Sequence, residues 1–386
     1  MPFYKDLKNL PKEDRLRIID GLQRMRAQLI DVNFPHKKAA KSLILGTWNI
    51  RNFDDDRFNY GPRTEESLYY LAEIMACFDV IAIQEICIDL KPLKRLIQLL
   101  GDDVYDYIVT DVSHYSSGGS NERLGFIYDK TKVQFTGVAG EIVLPDKMLI
   151  SEENTKKRQF SRTPFGVDFK SGWFNFYFST VHIYYGSNSG NTPQYKRRVE
   201  EINAVAAYLA KEAKNSESNH ILVGDFNIKQ HGSEGYNALQ KNGFTVINNR
   251  KGSNRDRTKY YDQISFRSKR NELRLLEPDR EDRVITFFDS VYREEDFELY
   301  KPVMTKMILA KIENERAVIA ATTSKTKIKK AEKKIASMEK AMLTDENFKE
   351  YYDEWRSFQM SDHLPLWVEI EIDFSDAYLR KLKTLP

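Results

Sequence analysis

The chain has 386 residues, 41% hydrophobic and 12% aromatic, which is enough to bury a large core and excludes an intrinsically disordered protein. A formal net charge of +3 does not by itself single out a nucleic-acid binder, because the distribution of charge matters more than its sum. Cys77 and Cys87, the two cysteines, exclude a disulfide framework and read as reduced core thiols.

At the N-terminus, charged Lys5, Asp6 and Lys8 are followed by no apolar stretch long enough for a signal peptide. No segment approaches the ~20 apolar residues that a membrane span needs, so a cytoplasmic protein with no membrane partner is expected. Pro11 stands where a helix can begin, and Leu16, Ile19, Leu22, Met25 and Leu29 recur at helical spacing. Residues 1–41 therefore read as a helical extension, closed by a linker at Pro35, His36, Lys37 and Lys38.

From Leu43 the pattern changes to short apolar runs. Strands are expected over 43–50, 79–84, 107–111, 125–128, 165–169, 173–182, 221–224, 264–266 and 366–372. Helices are expected over 65–76, 90–100 and 194–214. Strands and helices so interleaved, some strands apolar throughout and others alternating, predict a layered α/β fold with helices outside sheets.

Residues 301–343 stand apart, with high helical propensity and much Lys and Glu. Ile328, Ala331, Ile335, Met338 and Met342 form a heptad-like seam. The opposite faces carry Lys325, Lys327, Lys329, Lys330, Lys333, Lys334 and Lys340 against Glu332 and Glu339. A solvated helical hairpin is the plain expectation. An arm that touches phosphates, or a coiled coil for a protein partner or self-association, are the alternatives.

Polar residues gather just past the ends of the apolar runs: Asn49 and Arg51, Glu85, His182, Asp225 and Asn227, Asp262, and Asp362 with His363. In α/β proteins, strand ends are where loops converge on a ligand. Oxygen donors from Glu, Asp and Asn select a hard cation, Mg²⁺ or else Mn²⁺. Two histidines with spare carboxylates suit acid–base work on a phosphodiester. Each residue also has a plain reading. Glu85 reads as a buried structural acid, His182 as a core histidine, Asp225-Phe226-Asn227 as an Asx turn, and Asp362-His363 as a cap or turn.

The motifs in order are Thr47-Trp48-Asn49-Ile50-Arg51-Asn52-Phe53, Ile83-Gln84-Glu85, Asn121-Glu122-Arg123, Ser161-Arg162-Thr163-Pro164-Phe165 and Val181-His182. Gly224-Asp225-Phe226-Asn227, Tyr261-Asp262-Gln263-Ile264 and Ser361-Asp362-His363-Leu364-Pro365 complete them. As a combination they resemble the endonuclease/exonuclease/phosphatase superfamily, the deoxyribonuclease I-like fold, over residues 43–372.

That resemblance implies a four-layer α/β sandwich with two packed mixed β-sheets flanked by helices. The catalytic domain would span 42–374, with a Lys-rich helical insertion at about 282–356 and a tail at 375–386. It implies that Asn49 and Glu85, with Asp362 close by, hold the metal, and that His182 with Glu122 and His363 with Asp262 form two acid–base dyads. Asp225 and Asn227 would orient water and phosphorus, and Arg51 and Arg162 would neutralise phosphate oxygens. Cys87 and Ser120 depart from the pattern, standing where a groove-reading arginine and a sugar-packing tyrosine can occur. The loop 113–121, rich in Ser and Gly, reads as flexible.

The reading that follows is a metal-dependent nuclease acting by in-line water attack, on DNA ahead of RNA. The alternatives are a phosphatase or phosphodiesterase for a small-molecule or lipid phosphoester, and an inactive binding module.

Overall fold

The computed structural model describes residues 2–38, 40–53, 56–113, 121–151, 157–187, 189–269 and 273–384. In chain order the first elements are helix α1 (Lys12–Asp31), strand β1 (Ser42–Phe53), α2 (Glu65–Met75), β2 (Val80–Ile86), α3 (Lys91–Leu100), β3 (Tyr105–Val109) and β4 (Arg123–Asp129). Then come β5 (Gln134–Glu141), the short β6 (Ile150–Ser151) and β7 (Lys157–Arg158), β8 (Phe165–Ser171), β9 (Phe174–His182) and α4 (Pro193–Glu212). β10 (Asn219–Asp225), α5 (Glu234–Lys241), β11 (Thr245–Val246) and β12 (Asp262–Arg267) follow. The chain closes with α6 (Phe297–Ala320), α7 (Lys325–Ala341), α8 (Asp345–Gln359), β13 (Leu366–Glu371) and α9 (Ser375–Leu382).

Two mixed sheets with helices outside them make an α/β sandwich. The first sheet runs β13-β1-β2-β4-β3 and the second β11-β12-β10-β9-β8-β5. Alternation along each strand decides which side chains meet. In β9 and β10, Phe174, Phe176, Phe178, Ile221 and Val223 point into the core between the sheets. Val181 and Leu222 point the other way, onto Ile202, Val205 and Leu209 of α4 and Leu239 of α5. Phe126 of β4 meets Phe165 of β8 and Phe178 of β9 across the sandwich, at centroid distances of 5.6 and 5.2 Å.

The expected strands and helices are present with ends shifted by up to three residues. The edge strand β5 was not foreseen, because its sequence Gln-Phe-Thr-Gly-Val-Ala-Gly-Glu lies mostly exposed and carries no alternation. The N-terminal helix packs on α2: Ile18, Leu22 and Met25 are buried, and Arg17 and Arg26 reach Glu66 and Glu73 at 2.8 and 2.6 Å. The stretch read as a linker is anchored as well, by Lys37 to Asp79 at 3.4 Å and to Asp129.

The segment after β12 is α-helical only from Phe297, since residue Val284 first bridges Leu366 at the edge of the first sheet. The expected 301–343 helical stretch divides at 321–324 into α6 and α7, without a Gly or Pro to signal the break. Ala331 and Met338 of the seam are buried, with Ile335 and Met342 packed against the same core. Lys325, Lys327, Lys329, Lys330, Lys333 and Lys340 are exposed, whereas Lys334 pairs with Glu315 of α6. Residues 114–120, and with them Ser120, lie outside the described residues.

Candidate active site

Backbone register assembles the centre. β10 lies parallel to β9 and antiparallel to β12, so Asp225 sits opposite His182 on one side and Asp262 on the other. Gly224 has a φ of +130°, and a Cβ there would stand 2.1 Å from the Val181 carbonyl oxygen. Only glycine allows β10 to approach β9 so closely just before Asp225. On the first sheet Asn49 pairs in register with Gln84. The pairing slips beyond Ile83, and Glu85 takes a φ of +62° in the break. A left-handed glutamate costs on the order of 1–3 kcal/mol, which surrounding contacts must offset. Those contacts are Asn49 Nδ2 donating to Glu85 Oε1 (3.0 Å) and the Asn52 amide donating to Oε2 (2.8 Å).

Asp225 Oδ2 is the meeting point of the two sheets' residues. It accepts from Asn49 Nδ2 at 3.1 Å, and lies 3.5 Å from His182 Nε2 and 3.8 Å from His363 Nε2. Each histidine turns its other nitrogen to a buried carboxylate: His182 Nδ1 to Glu122 Oε1 at 2.6 Å, His363 Nδ1 to Asp262 Oδ2 at 2.8 Å. Asn227, itself left-handed at φ +54°, donates its amide to Asp225 Oδ1 (2.9 Å) and its Nδ2 to the Ile183 carbonyl (2.9 Å). Arg162 Nε contacts Glu122 Oε1, so one carboxylate serves both an arginine and a histidine.

Electrostatics follow from this burial and pairing. Burial alone would pull both histidines down. For His182, Arg162 also pulls down, but Glu122 and Asp225 prevail and raise its pKa. For His363, Asp262 and Asp225 overcome burial and hold it well above the usual imidazole range. Burial would raise Glu122, yet His182 and Arg162 bring it below the ordinary carboxylate value. Asp262 stays raised, because burial outweighs its bond with His363.

Ten of the eleven residues singled out from sequence gather around this centre or in salt bridges beside it. Arg51 is held by Glu354 of α8 at 2.8 Å, so its expected phosphate contact requires an exchange of partners. Asp362 stands apart from both carboxylate–histidine groups and acts through its charge on Arg51 and His363. Sequence reasoning gave no role to Ser361. Its hydroxyl donates to the Asn49 carbonyl (2.6 Å) and accepts from the His363 amide (3.0 Å), tying the Asn49 and His363 segments together. Its place directly before Asp362-His363 was the available signal.

The donor set fits a hard divalent cation. Asn49 Oδ1 is buried without a hydrogen-bond partner, beside the Glu85 carboxylate. An orphaned buried oxygen is costly unless something electropositive meets it. Glu85, Glu122 and His182 can bring ligand atoms within 4.8 Å of one another, as can Asp225, Asp262 and His363.

A hydrolase class is defined by this sandwich and this centre, and residues 46–271 match the sequence model of the Endonuclease/Exonuclease/phosphatase family. The chain belongs to that family. Among solved structures it is similar to a mannosyl-6-phosphatase of Bacteroides thetaiotaomicron, at 20% identity and TM-score 0.44 over 61% of this chain and 87% of that one. It is also similar to the human Nocturnin catalytic domain with bound sulfate (14% identity, TM-score 0.43, 61% and 85% covered). An endonuclease/exonuclease/phosphatase protein of Bacteroides vulgatus matches at 12% identity and TM-score 0.46, over 86% of this chain and 99% of that one. Among curated proteins none matches. Among the described residues no helix is long and apolar enough to cross a membrane.

Proposed function

We propose that the chain is a metal-dependent nuclease that hydrolyses phosphodiester bonds of nucleic acid, DNA ahead of RNA, with Mg²⁺. The observation that carries the reading is the position of Asp225 Oδ2 between two histidines, each backed by its own carboxylate. A diester needs a base for the incoming water and an acid for the leaving oxygen at once, and this centre offers both.

Asn49 and Glu85 are the residues that would hold the ion, with the charge of Asp362 near. When bound, the ion supplies neutralisation of the phosphate and of the negative charge added in the transition state. Asp225, fixed by Asn227 and Asn49, orients the attacking water and accepts its proton. The water oxygen bonds to phosphorus as the bond to the leaving oxygen breaks. His182 and His363, kept protonated by Glu122 and Asp262, donate from Nε2 to phosphoryl oxygens, and one of them protonates the leaving oxygen. Arg162 adds charge beside Glu122, and Arg51 does so once released from Glu354.

Cleavage of single-stranded DNA, double-stranded DNA, a circular plasmid and RNA tests this, each with Mg²⁺, Mn²⁺ or chelator. Metal-dependent cutting that falls about 10²-fold or more in His363→Ala and His182→Ala is expected. Intact substrates under every condition, with folded protein, would shift the reading to a small-molecule or lipid phosphoester.

A further inference from the structure

Beside the catalytic centre lies a cavity of about 380 Å³ that the reaction above does not use. Asn227 forms one side of it, so it opens from the residue that fixes Asp225. Tyr195, Arg198, Lys229, Lys259 and Tyr260 are among the other residues that line it. Its electrostatics are unusual. Arg198 is only 3% exposed, and the carboxylate charge that bears on it is that of Asp225 in the catalytic centre. Its guanidinium donates instead to the Tyr185 and Ser187 carbonyls, at 2.9 and 3.0 Å, and lies over the Tyr195 ring at 5.1 Å.

Buried charges are ordinarily paired, because desolvation is otherwise uncompensated. Burial, then Lys259 and Arg198, hold the Lys229 ammonium below its ordinary value, so Lys229 is repelled by two cations that line the same space. Burial likewise lowers Arg198. An arrangement of like charges that is unfavourable when empty becomes favourable when an anion enters. Aromatic faces adjoin it: His231 stacks on Tyr236 at 5.0 Å and meets Tyr260 at 4.2 Å.

We propose that this cavity is a second phosphate subsite, which takes a phosphoryl group next to the one being hydrolysed, with its sugar or base against Tyr195 and Tyr260. The proposal rests on the phosphoester reading of the centre and names what that reading leaves open, a recognition element outside the reacting atoms. Arg198, Lys229 and Lys259 supply charge-assisted hydrogen bonds to the second group. Its source is a neighbouring diester in a polynucleotide or a terminal monoester on a short one.

The test uses the full chain with Mg²⁺ and two probes, thymidine 3′,5′-bisphosphate and thymidine 5′-monophosphate, with binding followed by calorimetry. The bisphosphate is expected to bind about tenfold or more tightly, the size of one charge-assisted bond. In Lys229→Gln/Lys259→Gln that advantage is lost while monophosphate affinity stays; half-exposed lysines make loss of folding an easily checked objection, by melting temperature. An advantage that persists in the double variant, or its absence from the wild type, overturns the subsite. Cleavage of an unphosphorylated trinucleotide against a dinucleotide with a terminal phosphate separates the two sources, since the one that fills the cavity loses its rate advantage in the double variant. If no polynucleotide is cut but the bisphosphate advantage and its loss both hold, the nuclease reading fails and the subsite stands.

Discussion

Asp225 is fixed from four directions: the Asn49 side chain, the Asn227 amide, and the register of β9 and of β12. This over-determination is what permits left-handed backbone at Glu85 and Asn227 without loss of order. Glu85 then has a testable role separable from its packing. Glu85→Gln removes the charge and keeps one of the two oxygens, so one of the bonds from Asn49 and Asn52 is lost. The Mg²⁺ concentration for half-maximal activity is predicted to rise at least about tenfold, more than the small fall in melting temperature from one lost hydrogen bond accounts for. An unchanged metal requirement would place the ion elsewhere. A second residue reports on stability rather than chemistry. His220 is buried beside Tyr177, and burial, then Arg267 and Lys269, lower its pKa to about 4. In the unfolded chain it takes up a proton at about 6.5, so the folded state is disfavoured as pH falls. Its contribution is complete above about pH 6.5 and is lost progressively down to about pH 4, by about 3 kcal/mol in all. Urea midpoints of His220→Phe should therefore fall less steeply than wild type across that window, and parallel curves would contradict the assignment.

Helices α6 to α8 form the element with the least settled purpose. Their inner seam is satisfied by packing, and α8 fastens the site through Glu354 on Arg51 and through Gln359, which accepts from the Thr64 amide at 2.8 Å. What packing does not explain is the row of exposed lysines on α7. Lys-rich faces bind polyanions by releasing counterions, which makes the affinity depend on salt. Reversal of Lys325, Lys329 and Lys333 to Glu is predicted to weaken DNA binding and to flatten its salt dependence. The same slope in the variant would leave α7 a scaffold. This element also marks how far sequence could be read. Apolar periodicity identified the seam and its helical nature, and the apolar runs located His182, Asp225 and Asp262 at strand ends, because register follows from buried alternation. The partnership of Arg51 with Glu354 was not legible, since it joins residues 303 apart through an insertion that no periodic pattern positions. Arg198 was hidden in the same way: an arginine on an amphipathic helix gives no sign that it is buried beside the catalytic centre.

At the scale of the whole molecule, the core is continuous from α1 through α2 to the space between the sheets. The N-terminal helix is therefore bound into the fold, with Met25 wholly buried and Arg24 donating to the Ser290 carbonyl at 2.8 Å. Met25→Ala is predicted to cost about 2–5 kcal/mol by cavity formation, read as a lowered urea midpoint. A loss below about 0.5 kcal/mol would mean that α1 unfolds separately from the sandwich. The sandwich as a whole brings eight distant motifs to one end, and the central claim is that this end hydrolyses diesters. Initial rates on a dinucleotide and on its mononucleotide, with Mg²⁺ and with chelator, test that claim most directly. The account predicts metal-dependent hydrolysis of the dinucleotide, with the mononucleotide left intact. Release of phosphate from the mononucleotide, with the dinucleotide untouched, would contradict it.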